Sequence, residues 1–450
     1  MIQAALTFPK GFLWGSATAG HQVEGDNVLS DWYAWEQHPG HIINGQVSGR
    51  ACEWWHGRWQ EDFDRAAQTH QNAHRMSVEW CRIEPSLAVW DEAALDQYRT
   101  MVQGARERGL EPMVTLQHFT LPQWLAERGG WLADDSVGWF ERYARKVAEV
   151  LRDLVQLWIT VNEPNVLVYS GYVSNEFPPG HQNLRIAPAA IRNLIRAHAA
   201  AYHAIHEIIP KAQVGVAHHY RGFSPRNANS LPDRWLARFK ARSFNDLFPE
   251  ALTTGRFRFL LWAGEIPEAR GTQDFIGLNY YTTEEVVLDW TKPRKAFQPG
   301  TYPTNASLSP NGFLADVPQG FWKALEWAHR YDLPIYVTEN GSEDDQDEFR
   351  RNYLAHHLHQ LWRAVNFNWR IKGYFHWSLI DNFEWERGWT QRWGLWELNE
   401  RTQARKKRPS ADFYGEICRT NQLSSDLVQQ FAGQVFDDIF PPRGPSELLA

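Results

Sequence analysis

Two glutamates in this chain occupy positions where a carboxylate is costly to keep. Glu163 lies in Thr160-Val161-Asn162-Glu163-Pro164, and Glu339 in Thr338-Glu339-Asn340-Gly341. Each follows a short run rich in β-branched and aromatic residues, 157–161 and 335–338, of the kind that forms a buried strand. A carboxylate just past such a strand loses hydration unless partners replace it. Two of them from distant parts of one chain suit glycosidic-bond cleavage. That reaction takes one carboxyl as proton donor to the leaving oxygen and a second as nucleophile or base. At this level the stereochemistry stays open, and so does the plainer reading of two structural carboxylates in ion pairs.

To bring both carboxyls together, the fold must collect its strand ends on one face. Candidate strands fall at residues 12–15, 73–78, 111–116, 157–161, 214–217, 275–278, 335–338 and 373–376. Amphipathic helical stretches lie between them, for example 93–108, 139–154, 191–209 and 320–331. This alternation predicts an α/β fold, a single closed (β/α)8 TIM barrel over residues 1–450. Such a barrel assembles its site where strands end and loops begin. Those positions hold Gln22, Arg75, His118, Asn162, Glu163, Asn279, Tyr280, Tyr281, Glu339 and Trp377, a polar set on otherwise apolar strands. Residues 289–316, rich in Pro, Asn and Ser, read as a long loop over that face. The tail after residue 421 is partly helical, then Pro-rich, and has no assignable role.

Composition narrows the partners. A hydrophobic fraction of 43% supports a sizeable core, and a formal charge of −7 argues against nucleic acid. The basic run Arg405-Lys406-Lys407-Arg408 reads as a solvated surface turn. Cys52, Cys81 and Cys418 give neither a disulfide framework nor zinc spacing, and no His/Asp/Glu cluster has ligand spacing, so no metal or other cofactor is expected. Without a leader-like N-terminus or an apolar run of about 18 residues, the expectation is a soluble cytoplasmic protein with no membrane contact. The 24 tryptophans are a sharper clue. Several sit beside polar residues, as in Glu53-Trp54-Trp55-His56 and Asn382-Phe383-Glu384-Trp385. Flat rings beside hydrogen-bonding groups suit a pyranose, although plain core packing accounts for them equally well.

Seven motifs in order carry a resemblance. Residues 8–25, from Phe8-Pro9-Lys10-Gly11 to Gln22-Val23-Glu24-Gly25, come first, followed by Arg75-Met76-Ser77-Val78-Glu79-Trp80 and Thr115-Leu116-Gln117-His118-Phe119-Thr120-Leu121-Pro122. Asn162-Glu163-Pro164, Gly277-Leu278-Asn279-Tyr280-Tyr281-Thr282, Thr338-Glu339-Asn340-Gly341 and Trp377-Ser378-Leu379-Ile380-Asp381-Asn382-Phe383-Glu384-Trp385 complete the set. Together they resemble glycoside hydrolase family 1, the β-glucosidase and β-galactosidase family, over nearly the whole chain.

The resemblance implies a (β/α)8 barrel that hydrolyses terminal β-glucosyl, β-galactosyl or β-fucosyl residues with retention, through a covalent glycosyl-enzyme. Glu163 matches the family's acid/base and Glu339 its nucleophile. Asn162 and His118 match ligands of the sugar 2- and 3-hydroxyls, although a helix cap and a structural histidine are the bland alternatives. Gln22 and Glu384 match the residues that read the far hydroxyls, Trp377 the platform under the ring, and Trp385 an indole donor. Arg75 and Tyr281 are expected to hold Glu339 anionic, and Asn279 to support the nucleophile end. Trp124 reads equally as an aglycone-side ring and as core.

Two departures stand out. Trp393 replaces the family's usual Phe near the sugar's C6, which predicts good activity on substrates with little at C6, such as β-fucosides. Residues 341–349 are short and acidic, which predicts a more open aglycone entrance. Three rivals accompany this reading. A 6-phospho-β-glycosidase would need a cation where Gln391 stands and would be repelled by Glu384. A non-catalytic sugar-binding relative would be expected to lack one glutamate. A transglycosylase would share the covalent intermediate. Oligomeric state is left open.

Overall fold

The computed structural model describes residues 4–289, 291 and 300–442. Among these, eight parallel strands close into a barrel: β1 Leu13–Ala17, β2 Ala73–Ser77, β3 Glu111–Gln117, β4 Leu157–Asn162, β5 Gln213–Pro225, β6 Phe275–Val286, β7 Ile335–Asn340 and β8 Ile371–Trp377. Each strand pairs in parallel with its sequence neighbour in this set, and β8 closes onto β1 through Gly373↔Leu13 to Trp377↔Ala17. All eight expected runs are barrel strands. β2, β4 and β7 are buried along their whole length, as strands covered on both faces must be.

Helices fill the connections. They are α1 Trp59–Gln68, α2 Glu92–Glu107, α3 Ser136–Leu151, α4 Ala187–Ile208, α5 Leu231–Phe244, α6 Leu247–Thr254, α7 Pro318–His329, α8 Glu348–Asn366 and α9 Pro409–Thr420. The four expected helices appear with starts one to four residues earlier, because polar and proline residues occupy their first turns. Asp91 caps α2 by accepting from the Ala94 amide at 3.0 Å, and α7 begins on Pro318. The barrel interior is tightly filled. A Cβ added to Gly15 would lie 2.7 Å from both the Phe375 ring and the Ala73 carbonyl oxygen. Glycine at that point lets an aromatic ring cross the barrel between β8 and β1.

One expectation about the surface needs correction, and two others are narrowed. Arg405 and Arg408 of the basic run do not sit on a solvated turn. Arg408 forms a two-pronged pair with Asp381 at 2.8 and 2.9 Å, and Arg405 reaches Asp62 at 3.1 Å. Alternation along the short strand Arg405–Lys407 explains part of this, turning Arg405 inward and Lys406 outward. Within the acidic stretch after Gly341, Glu343, Asp344 and Asp347 are buried, while Asp345 and Glu348 are exposed. Glu343 accepts from Asn311 at 3.0 Å, Asp344 and Asp347 bind Arg350, and none of the three lines the cavity described below. Trp124 is core: its indole donates to the Glu84 carbonyl at 2.8 Å and packs edge-on to Trp80.

The tail is tied into the body. Gln422–Ser424 pairs antiparallel with Ala5–Thr7, and the following helix Ser425–Phe431 reaches α8 through Arg351, which donates to the Phe431 carbonyl at 2.8 Å. Residues 290 and 292–299 of the expected loop, and the last eight residues, lie outside the described set. Among the described residues no helix is long and apolar enough to cross a membrane.

Candidate active site

The C-terminal ends of the strands surround a cavity of about 510 Å³. Its wall includes His118, Asn162, Glu163, Tyr281, Glu339, Trp377, Glu384, Trp385 and Trp393. Nine of the twelve residues singled out in the sequence are therefore on one surface. The other three, Gln22, Arg75 and Asn279, lie directly behind it and hold wall residues in place.

Arg75, on β2, is the hub. Its Nη1 donates to Glu339 Oε1 at 2.6 Å and to the Thr338 carbonyl at 3.1 Å. Nη2 donates to Asn162 Oδ1 at 2.6 Å, and Nε to Thr115 Oγ1 at 3.1 Å. Four acceptors from three other strands thus fix one buried guanidinium, which a flexible ammonium could not match. The second oxygen of Glu339 accepts from the Tyr281 hydroxyl at 2.5 Å.

Glu163 has a different setting. It leaves β4 in a left-handed conformation (φ 43°, ψ 56°) and caps the short helix Pro164–Val168. A non-glycine residue held there costs on the order of 1–3 kcal/mol, which the surroundings must supply. The Glu163 amide donates to the Ala217 carbonyl at 2.8 Å, and Asn165 anchors the following turn by donating to the His219 carbonyl at 2.8 Å. Its carboxylate Oε1 accepts from Asn279 Nδ2 at 2.8 Å and meets His219 Nδ1 at 2.8 Å.

His219 escaped the sequence reading. It sits two residues beyond the expected end of the fifth strand, because β5 runs on to Pro225 in register with β6, placing His219 opposite Asn279. Extending that strand by two alternating positions is the signal that could have found it.

The remaining groups form a connected lattice. Asn162 Oδ1 accepts from both Arg75 and Asn279, so its amide nitrogen must face His118, donating to Nε2 at 3.1 Å. Burial, helped by the Arg75 charge, keeps the His118 ring well below its ordinary pKa and neutral. Its proton is then on Nδ1, which has no partner in the protein. Asn279 Oδ1 accepts from Thr338 at 2.6 Å, closing the link to β7. Glu384 receives Gln22 Nε2 at 3.2 Å and Asn382 Nδ2 at 3.3 Å on one oxygen. Gln22 itself is fully buried, and its Oε1 has no partner. The indole of Trp385 stacks over His118 with 5.9 Å between centroids, Trp377 lies at 5.9 Å on the same ring, and Trp393 stands edge-on to Tyr281 at 5.4 Å. Trp393 Nε1 is another unpartnered polar atom.

Charge is concentrated at this end. Burial raises Glu339 to about 7, with the Arg75 guanidinium opposing it and the Glu163 charge adding to it. Glu384 is raised to about 8, first by burial and then by the charges of Glu386 and Glu339. Burial also works to raise Glu163, but the charge and hydrogen bond of His219, with the Asn279 amide, hold it below its ordinary value. That pull lasts only while His219 carries a second proton. Three buried acids around one cavity cannot all ionise cheaply, so protons are retained there at neutral pH.

Known proteins similar to this chain are glycosidases. The model of the family described as glycosyl hydrolase family 1 matches residues 4–423. β-Glucosidase A of Thermotoga maritima is 33% identical over 447 residues, covering 92% of this chain and 98% of its own. A β-galactosidase of Pyrococcus woesei is 31% identical over 510 aligned positions, covering 94% and 99%. The solved β-glycosidase from Pyrococcus horikoshii superposes with a TM-score of 0.89 at 34% identity, covering 95% of this chain and 98% of its own.

Proposed function

The chain belongs to glycosyl hydrolase family 1 and is a retaining β-glycosidase, and from that premise we propose that Glu339 is its nucleophile and Glu163 its acid/base. The observation that carries the assignment is the asymmetric bonding of the two carboxyls. Glu339 has a fixed cation at 2.6 Å and a phenol donor at 2.5 Å, a setting for a standing negative charge. Glu163 has an amide and an imidazole, partners compatible with either protonation state.

In the first step Glu339 attacks the anomeric carbon and the bond to the aglycone oxygen breaks. Glu163 gives its proton to that oxygen. Arg75 and Tyr281 keep the charge on Glu339 until then, which requires the proton to sit on Glu163 and His219 to be neutral. Once Glu339 is esterified its charge is gone. Water then attacks the same carbon, Glu163 takes the water's proton, and Glu339 is released. Retention by this route requires carboxyls about 5–5.5 Å apart.

The sugar is held by the lattice already described. His118 Nδ1 is a donor with no other partner, Asn162 reaches toward the 2-hydroxyl, and Glu384 with Gln22 behind it addresses the far hydroxyls. Trp377 and Trp385 supply the apolar faces, and Asn279 fixes Glu163 as well as the Thr338 end of β7. The terminal sugar is glucose, galactose or fucose; the relatives' names favour the first two, and the Trp393 indole near C6 favours fucose. Gln391 and Glu384 offer no cation for a 6-phosphate. The free thiols of Cys52, Cys81 and Cys418 suit the cytoplasm.

The test is release of nitrophenol from 4-nitrophenyl β-glucoside, β-galactoside, β-fucoside and the 6-phosphates of the first two, with and without an added alcohol acceptor. The neutral glycosides should be cleaved, β-fucoside at a rate at least comparable with β-glucoside, and the first sugar product should be the β-anomer. No release from any neutral glycoside would remove the reading.

A further inference from the structure

Because Glu163 must protonate the leaving oxygen, whatever adjoins Glu163 away from the sugar lattice faces the aglycone. That part of the cavity has a different character. Its wall comes from the segment after Glu163 (Val166, Val173, Leu184), from α5 (Phe239, Phe244) and from the tip of the two-stranded hairpin Arg256–Phe259 and Trp262–Glu265 (Leu260), all half-buried side chains lining the cavity. The apolar wall starts at the acid/base itself: His219, bonded to Glu163, packs edge-on against Phe244 at 5.9 Å.

Polar and charged side chains line it as well, Tyr169, Glu176 and Lys240 among them, but several of the polar groups there are engaged within the protein. Asn165 Nδ2 donates to the carbonyls of His219 and Phe244 at 2.8 and 3.1 Å. Ser243 donates to its own helix at 2.8 Å, Ser170 to Glu176 at 3.4 Å, and Arg221 pairs with Glu284 at 3.0 Å. Among the described residues of that region, only Arg221 Nε and Asn165 Oδ1 are buried without a partner. Two such atoms can orient one polar group, whereas a second pyranose would bring a rim of hydroxyls to satisfy. An apolar wall with few orienting polar atoms is the usual make-up of a site for an apolar ligand.

The apolar character continues outward past the cavity. Leu261, next to Leu260, is 97% exposed, and Trp235, stacked on Phe239 at 5.2 Å, is 58% exposed.

We propose that this enzyme prefers β-glycosides of long alkyl alcohols over disaccharides, the alkyl chain running along Val173, Phe239 and Leu260 toward Trp235 and Leu261. The inference rests on the glycosidase reading and names the aglycone class it acts on.

The experiment measures kcat/KM by glucose release for methyl, butyl, hexyl, octyl and decyl β-glucosides and for cellobiose, with 4-nitrophenyl β-glucoside as a separate check of glycosidase activity. Each added methylene should raise kcat/KM about two- to four-fold through octyl, and octyl glucoside should exceed cellobiose by more than ten-fold. Leu260→Asp should flatten the dependence on chain length, read as the octyl-to-methyl ratio. Leu260→Asn, suited to the left-handed backbone at that position (φ 53°), should do so with less risk to folding. A rate that stops rising at butyl, or cellobiose cleaved as well as octyl glucoside while the nitrophenyl glucoside is active, overturns the inference alone. An unchanged octyl-to-methyl ratio in both variants overturns it as well. Loss of all release, the nitrophenyl glucoside included, overturns the glycosidase reading and this inference with it.

Discussion

The two ends of the cavity are built from different material. At the sugar end the two reacting carboxyls stand on or beside barrel strands and are held by partners on other strands. Arg75 alone joins β2 to β3, β4 and β7. At the aglycone end the wall belongs to the connections after β4 and β5, and it is apolar where the other end is polar. Strand ends fixed within a closed barrel can hold reacting atoms to fractions of an ångström, as bond cleavage demands. Loops and their short helices can change length and surface without disturbing that geometry. The protein thus separates its chemistry from its choice of leaving group, and Glu163 marks the boundary. It leaves a strand, adopts a left-handed backbone, and begins the first segment of the apolar wall.

The largest effects should fall on that boundary and separate its two sides. Glu339→Ala should lower kcat/KM by about 10⁴-fold or more for every substrate, because the nucleophile serves all leaving groups alike. Glu163→Ala should cost about 10²–10⁴-fold on octyl β-glucoside, whose alkoxide needs a proton, and far less on 2,4-dinitrophenyl β-glucoside, whose leaving group does not. Steady-state rates on these two glycosides, with unchanged circular dichroism for each variant, provide the check. Equal losses from Glu163→Ala on both would remove its role as acid and dissolve the boundary.

The same division explains what could be read from the sequence. Seven of the eight barrel strands were legible as short runs with β-branched or aromatic residues, and β2 (Ala73–Ser77), which is not such a run, by its place in the strand–helix alternation. Glu163, Glu339, Asn162 and His118 were legible because they follow those runs directly. His219 was missed because β5 continues past its most apolar part, and the polar Tyr220 and Arg221 obscure the strand pattern there. The aglycone wall was not legible at all. Val173, Phe239 and Leu260 look like any core residues in the sequence, and only the packing of three separate segments turns them toward a cavity. Arg405 and Arg408 misled for a related reason, since a run of four basic residues does not reveal that two of them meet buried aspartates elsewhere.

A smaller effect tests whether the two ends act independently. Tyr281→Phe removes one donor from Glu339 and nothing from the apolar wall. A hydrogen bond to a charged group contributes about 1.5–3 kcal/mol, so kcat should fall about 10- to 100-fold. The slope of log kcat/KM against alkyl chain length should stay that of the wild type. A changed slope would mean that the sugar end reaches the aglycone wall through Tyr281, which stacks on His219 at 5.9 Å.

The smallest effect concerns stability, where the two ends should differ most in sign. The sugar end buries acids, and burying them becomes costlier as they ionise. Glu384 is raised from 4.5 to about 8, chiefly by burial. The folded protein therefore binds this proton more tightly than the unfolded chain. The stability it contributes is fully present below pH 4.5 and is lost as pH rises through about 8. Glu24 and Asp31, each raised to about 7, add losses of the same sign. Glu384→Gln keeps the size and an acceptor oxygen but cannot ionise. Its Tm should match the wild type near pH 5 and exceed it by several degrees near pH 8.5, corresponding to at most a few kcal/mol. Leu260→Asn, which alters no acid, should shift Tm by the same amount at both pH values. A wild-type pH dependence that Glu384→Gln leaves untouched would show that this carboxyl is already solvated, and the sugar end would then be wetter than its lattice of bonds implies.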